Sequence, residues 1–174
     1  MMDLVRSGGP WTDHAEAYID DRWFFLLGEP GSGLADGTSI DIVVNASTQA
    51  PCEAPAGVPA SAQTMIRTIR ANPDLDTTEP VVERIGGLEA RRLDVAAVPG
   101  ASTCVVDGAV PVLSVPGRPW GDIENGERMR LYVLPMTGRF ARSLVIMITA
   151  PETAFEQTVE AATPVLDSFE FHAG

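Results

Sequence analysis

The chain reads as an α+β domain: a twisted, mainly antiparallel β-sheet of about six strands with two main helices packed on it. Three observations predict this. Arg128-Met129-Arg130-Leu131-Tyr132-Val133-Leu134 alternates polar and apolar residues, the period of a strand. Leu144-Val145-Ile146-Met147-Ile148 is unbroken hydrocarbon, as expected of a central strand covered on both faces. Pro151 then opens a segment in which Phe155, Val159, Ala162 and Leu166 share one helical face, and Phe169-Glu170-Phe171 closes as a strand.

The earlier elements follow in order. Residues 1–20 form an amino-terminal extension, in which Asp13 to Ile19 could make one or two helical turns, and residues 21–174 form one domain. Arg22 to Leu27 is a strand, and the glycines and proline of 28–33 make a loop. Ser39 to Val44 alternates, which places Ile40, Ile42 and Val44 on one buried face. Residues 46–60, rich in Ala, Pro and Ser, form a connecting loop around Cys52. Ser61 suits a helix amino-terminal cap, and Ala62, Met65, Ile66 and Ile69 then fall on one apolar face. Arg67 and Arg70 lie outside that face and near the carboxyl end, where the helix dipole favours cations. Asn72-Pro73 stops this helix, spanning 61–71.

Val81 to Val95 is a hairpin turning at Gly86-Gly87. Its apolar phase slips between Ala90 and Leu93, and a β-bulge at Arg91-Arg92 would restore it. Residues 99–127 are rich in Gly and Pro and read as a long loop around Trp120. The second helix is expected over 152–163, with Pro164 kinking or ending it.

Charge excludes some functions. Twenty-four acidic residues face 12 basic ones, all of them arginine, for a net charge of −12. Nucleic-acid binders present clustered cations, and here Arg91-Arg92 and Arg139/Arg142 are the nearest approach to a cluster, so neither nucleic acid nor an anionic membrane surface is an expected partner. The absence of lysine excludes Schiff-base and phosphate-loop lysine chemistry. No stretch approaches the roughly 20 apolar residues of a membrane span. The first ten residues lack the apolar core of a signal peptide, which leaves a cytoplasmic protein or the soluble portion of an exported one.

Candidate chemistry is sparse. His14 and His172 lie near opposite ends, His14 beside Asp13 and Glu16 on what would be a solvated helix face. Asp20-Asp21 and Asp74/Asp76 lack the spacing of a calcium loop, and the latter pair fits turn chemistry. Gly28, Gly31 and Gly33 follow a strand but precede no helix, as a dinucleotide fingerprint requires. Ser143 adjoins a strand without a histidine in sequence reach. No catalytic, cofactor-binding or metal-binding residue is assigned, and no cofactor is expected. Trp120, with Arg118, is a candidate contact for a partner or ligand, since Trp and Arg anchor many interfaces; the alternative is an indole plugging the core. Cys52 and Cys104, the two cysteines, form either a structural disulfide or two unrelated buried thiols. A bridge closing a loop of about 50 residues would contribute roughly 4 kcal/mol and belongs outside a reducing cytosol.

The segments IRTIRANPDLDTTEP, VVERIGGLEARRLDV, RLYVLPMTGRFARSLVIMITAP and FEQTVEAATPVLDSF, in that order, are similar to a family of extracytoplasmic domains from GC-rich Gram-positive bacteria. In that family one cysteine precedes the first helix and another follows the hairpin, as Cys52 and Cys104 do. The closing strand-strand-helix order also resembles the PsbP-like fold. The resemblance implies an exported or cell-surface domain and supplies no catalytic residues. The expected function is a non-enzymatic extracytoplasmic accessory or interaction module. The alternatives are a small-ligand or lipid-binding domain, and a hydrolase whose site is scattered in sequence.

Overall fold

The computed structural model describes residues 2–4, 11–17, 22–28, 33–48, 60–101, 108–115, 118–136 and 143–171; for 2–4, 11–17, 22–28 and 118–120 the backbone alone is described. Strands β1 (Met2–Leu4), β2 (Trp11–Ala17), β3 (Arg22–Gly28), β4 (Ser39–Val44) and β5 (Ser47–Thr48) precede helix α1 (Ala62–Ala71). Then come β6 (Leu75–Thr77), β7 (Val81–Ile85), β8 (Leu88–Ala97), β9 (Val110–Val115), β10 (Arg118–Ile123), β11 (Glu127–Pro135) and β12 (Ser143–Pro151). A 3-10 turn at Glu152–Ala154 leads into α2 (Phe155–Asp167), and β13 (Phe169–Phe171) is the last described element.

The α+β class, the mainly antiparallel sheet and the two helices are as the sequence indicates. Among the described residues the main sheet has eight strands in the order β2-β3-β4-β12-β11-β8-β6, with β7 also on β8; β10-β9-β5 make a second sheet, and β1 pairs with β13. β12 is central, and its alternation feeds two cores. Leu144, Ile146 and Ile148 pack with Ile40, Ile42 and the α2 residues Ala162, Val165 and Leu166. Val145 and Met147 pack on the other side with Met65 and Ile69 of α1 and Val112 and Leu113 of β9. The molecule is thus layered, with α2 on one face of the main sheet and α1 with the small sheet on the other.

That layering explains several departures from the sequence reading. β4 is buried on both faces, since Asp41 and Val43 lie under the second layer. β8 carries no bulge: its register to β7 and to β11 runs unbroken through Arg91 and Arg92. Ala90 belongs to the α2-side core and Leu93 and Val95 to the other, so the slip in phase marks a change in which face is covered. β9 and β10 pair antiparallel within what reads as a long loop. Among the described residues β5 pairs with Leu113 and Ser114, and Pro111 pairs with Asp122 of β10. Trp11–Ala17 is a strand paired with β3, not helical turns. α2 continues past Pro164 to Asp167. Pro164 and Glu160, whose carbonyl loses its partner, both lie on the exposed face, where water substitutes.

The Ser61 cap is present, its Oγ accepting from the Thr64 amide at 3.2 Å. Asn72 ends α1, and its Oδ1 accepts from the Asp74 amide at 3.0 Å, the turn chemistry expected there. The hairpin turns at Gly86 and Gly87 with φ of +54° and +81°.

Candidate functional site

Two consecutive arginines on a strand must point to opposite faces, and Arg91 and Arg92 do so on β8. Arg92 lies on the α2 side, where its Nη1 is 2.7 Å from Glu83 Oε1 across the β7–β8 ladder. Two residues along the same face, Asp94 takes a bidentate pair from Arg130 of β11, at 2.7 and 2.8 Å. Both side chains are nearly buried, at 12% and 11% exposure. The Asp94 hydrogen bonds hold the Arg130 guanidinium above its ordinary pKa. Arg128 and Arg130 also stack over the Phe155 ring, at 5.0 and 5.3 Å from its centroid. Burial raises the neighbouring Tyr132 phenol. This polar ladder is internally satisfied, which marks it as structural.

Arg91 lies on the opposite face and lines an open groove of about 950 Å³ between α1 and the β7–β8 hairpin. One wall is the outer side of α1, with Gln63, Ile66, Arg67 and Arg70. These residues line it because the α1 stripe of Ala62, Met65 and Ile69 is spent on the core, turning its flank outward. The other side is Glu79, Pro80, Glu89 and Arg91, and Pro135 of β11 also lines it. Arg70 is ion-paired with Glu79 across the mouth. Arg67 and Arg91 have no ion-pair or hydrogen-bond partner among the described residues. The lining therefore holds three arginines against two glutamates in a protein of net charge −12. Guanidiniums above apolar surface recognise planar anions, and the described lining residues are Ala, Gln, Ile, Arg, Glu and Pro.

A buried acid lies elsewhere. Asp41 of β4 is 7% exposed and accepts from Ser39 Oγ at 2.8 Å. Desolvation pushes its pKa up to about 6, the hydroxyl opposing in part. Burial also raises Asp122 of β10, whose Oδ1 has no hydrogen-bond partner among the described residues, as is true of Ser114 Oγ.

The sequence-derived candidates fall as follows. Cys52 and Cys104 lie outside the described residues, as do His172 and Asp20-Asp21. Arg118 and Trp120 belong to β10, opposite Val115 and Leu113 of β9, so they sit on a paired strand and not in a long loop; their side chains lie outside the described residues. His14 is on β2 opposite Phe25, on a strand and not a helix face. Ser143 is fully buried, donating to the Ala60 carbonyl at 3.1 Å, which removes it from any nucleophilic role. Among the described residues no three His, Cys, Asp or Glu side chains gather to hold a metal, and no helix is long and apolar enough to cross a membrane. The groove was not assembled from sequence. Its signal was Arg67 and Arg70 off the apolar stripe together with Arg91-Arg92 on a strand.

No protein-family model matches the chain, and no curated protein matches it. Among solved structures it is similar to one described as LpqN involved in cell envelope biogenesis of Mycobacterium tuberculosis. The identity is 12% and the TM-score 0.48, over 98% of this chain and 90% of that chain. A likeness so distant carries nothing about activity.

Proposed function

We propose that the chain is a non-enzymatic accessory module that acts outside the cytoplasm and engages a partner through the groove between α1 and the β7–β8 hairpin. One observation carries the reading. Arg92 and Arg130 are ion-paired with Glu83 and Asp94, whereas Arg67 and Arg91 face the groove without a partner among the described residues. A guanidinium left open beside apolar surface is poised to bind. The extracytoplasmic part rests on the resemblance of the segments from Cys52 to Phe171 and on the proposed Cys52–Cys104 bridge. The PsbP-like likeness rests on element order alone. Trp120 and Arg118 remain a second candidate contact.

A photo-reactive residue placed at Gln63 in the groove, and separately at Gln157 on α2, tests the reading in the native host. A discrete adduct from position 63 and not from 157 is expected. The same adducts from both positions, or none from 63, would overturn it. A free-thiol count on unreduced protein tests the compartment, and two reactive thiols would remove the bridge.

A further inference from the structure

β7 pairs with β8 along one edge, and no other described strand pairs with it. Its outer edge therefore offers backbone amides and carbonyls with no ladder partner among the described residues. Val81 and Val82 are the exposed large hydrophobic residues of the described surface, at 44% and 52%. Proteins usually blunt such an edge with charge, proline or a covering loop. Here Pro80 stands before the strand, and Glu83, the acid within it, is drawn across the ladder to Arg92. Val82 is the cross-strand partner of Arg91, so both lie on the groove side, while Val81 lies on the other.

We propose that the edge of β7 accepts an extended segment of a partner protein as an added strand, with acidic side chains toward the groove and aliphatic ones on the opposite face. The inference rests on the groove reading above and names its occupant. A segment laid beside Val81–Ile85 gains main-chain hydrogen bonds from the free edge. Its groove-facing carboxylates meet Arg67 and Arg91, and its intervening aliphatic residues cover Val81. The distant negative charge of the protein does not forbid this, because charges beyond about 8 Å are largely screened at physiological salt. An anionic bilayer fits poorly, since a flat surface meets the acidic exterior as well as the groove. A small carboxylate cannot use the strand edge. The Phe171 ring beside Gly86 bounds the site at the turn end.

Anisotropy titration of the full chain with a short fluorescein-labelled peptide of alternating Glu and Val tests this. Saturable binding is expected, weakened by added salt and reduced at least about tenfold by Arg67→Gln with Arg91→Gln. Arg128→Gln, on the far face, should leave it within about twofold, and far-ultraviolet circular dichroism checks that the variants fold. N-methylation of alternate peptide amides should abolish binding in one phase and spare it in the other, since an added strand uses every second amide. Equal binding in both phases would overturn strand addition while leaving an arginine-dependent groove standing. Indifference to the double arginine change would overturn the groove reading itself. Failure of the peptide to bind, or preference for phosphatidylglycerol vesicles, would overturn the proposed occupant; the adducts at Gln63 then decide whether the groove binds anything.

Discussion

Arg91 and Arg92 are neighbours in the chain and opposites in circumstance. Arg92, on the α2 face, joins Glu83, and beside it the Arg130–Asp94 pair and the Phe155 ring complete a closed polar ladder. Arg91, on the other face, opens into a groove with Arg67. Each face also holds a buried acid. Asp94 has two charge-assisted hydrogen bonds from a guanidinium, while Asp41 has a serine hydroxyl and no ion pair among the described residues. The same residue types are thus ion-paired on one side and, among the described residues, without an ion pair on the other. Whether a charge is satisfied by its own fold, and not its mere presence, separates a structural site from a binding one.

The sharpest way to break this comparison is to open the closed side. Asp94→Ala leaves the Arg130 guanidinium nearly buried with its main partner gone, and removal of one member of a buried pair costs about 3–5 kcal/mol. A matching fall in the urea midpoint at unchanged slope is expected. A loss under about 1 kcal/mol would mean that water already reaches the pair, and that the two faces differ less than their geometry says.

Asp41 supplies the second test. Its folded pKa of about 6 lies above the ordinary 3.8, so the folded state holds the proton more tightly than the unfolded chain. This group therefore favours folding most below about pH 4, and the benefit is lost as pH rises through 6, on the order of 3 kcal/mol in all. Asp41→Asn keeps an acceptor for Ser39 and cannot ionise. Urea unfolding of both proteins should show the Asn variant gaining on the wild type between pH 4 and 7. A difference that stays constant with pH would mean that burial does not penalise the Asp41 charge.

These contrasts bear on what could be read from the chain. Elements with a single dominant signal were legible: the hydrocarbon of β12, the Ser61 cap and stripe of α1, and the two-glycine turn after β7. Errors arose where one pattern had two causes. The slip between Ala90 and Leu93 looks like a bulge, but burial on alternate faces of a two-sided sheet yields the same string. Prolines 111 and 119 imitate a loop, yet they lie in register within the paired strands β9 and β10. The groove was illegible because its walls, α1 and β8, are joined only by tertiary packing. Arg67 and Arg91 carry no mark in sequence that distinguishes them from solvated charges.

The hairpin that carries both arginines gives a smaller effect. Gly86 has φ of +54°, and a Cβ there would meet the Phe171 ring and lie 2.8 Å from the Phe169 carbonyl oxygen. At Gly87, φ is +81° and the space is open. Gly86→Ala should therefore cost about 2–3 kcal/mol and Gly87→Ala about 1 kcal/mol, the latter being backbone strain alone. Equal losses in thermal unfolding would mean that β13 moves aside freely and does not brace the hairpin tip.

The smallest effect compares the two arginines directly. Arg92 and Glu83 are about one-third exposed, so the pair is partly screened and Arg92→Gln should cost no more than about 1 kcal/mol. Arg91→Gln removes a guanidinium with no described partner, and its stability should stay within about 0.5 kcal/mol of the wild type. Denaturant titration resolves the two if they are run side by side at low salt, where the ion pair is strongest. Added salt should then erase the cost of Arg92→Gln and leave Arg91→Gln unchanged. A destabilising Arg91→Gln would mean that this side chain is already engaged within the fold, and the groove would lose one of the two charges on which its recognition of an anionic segment depends.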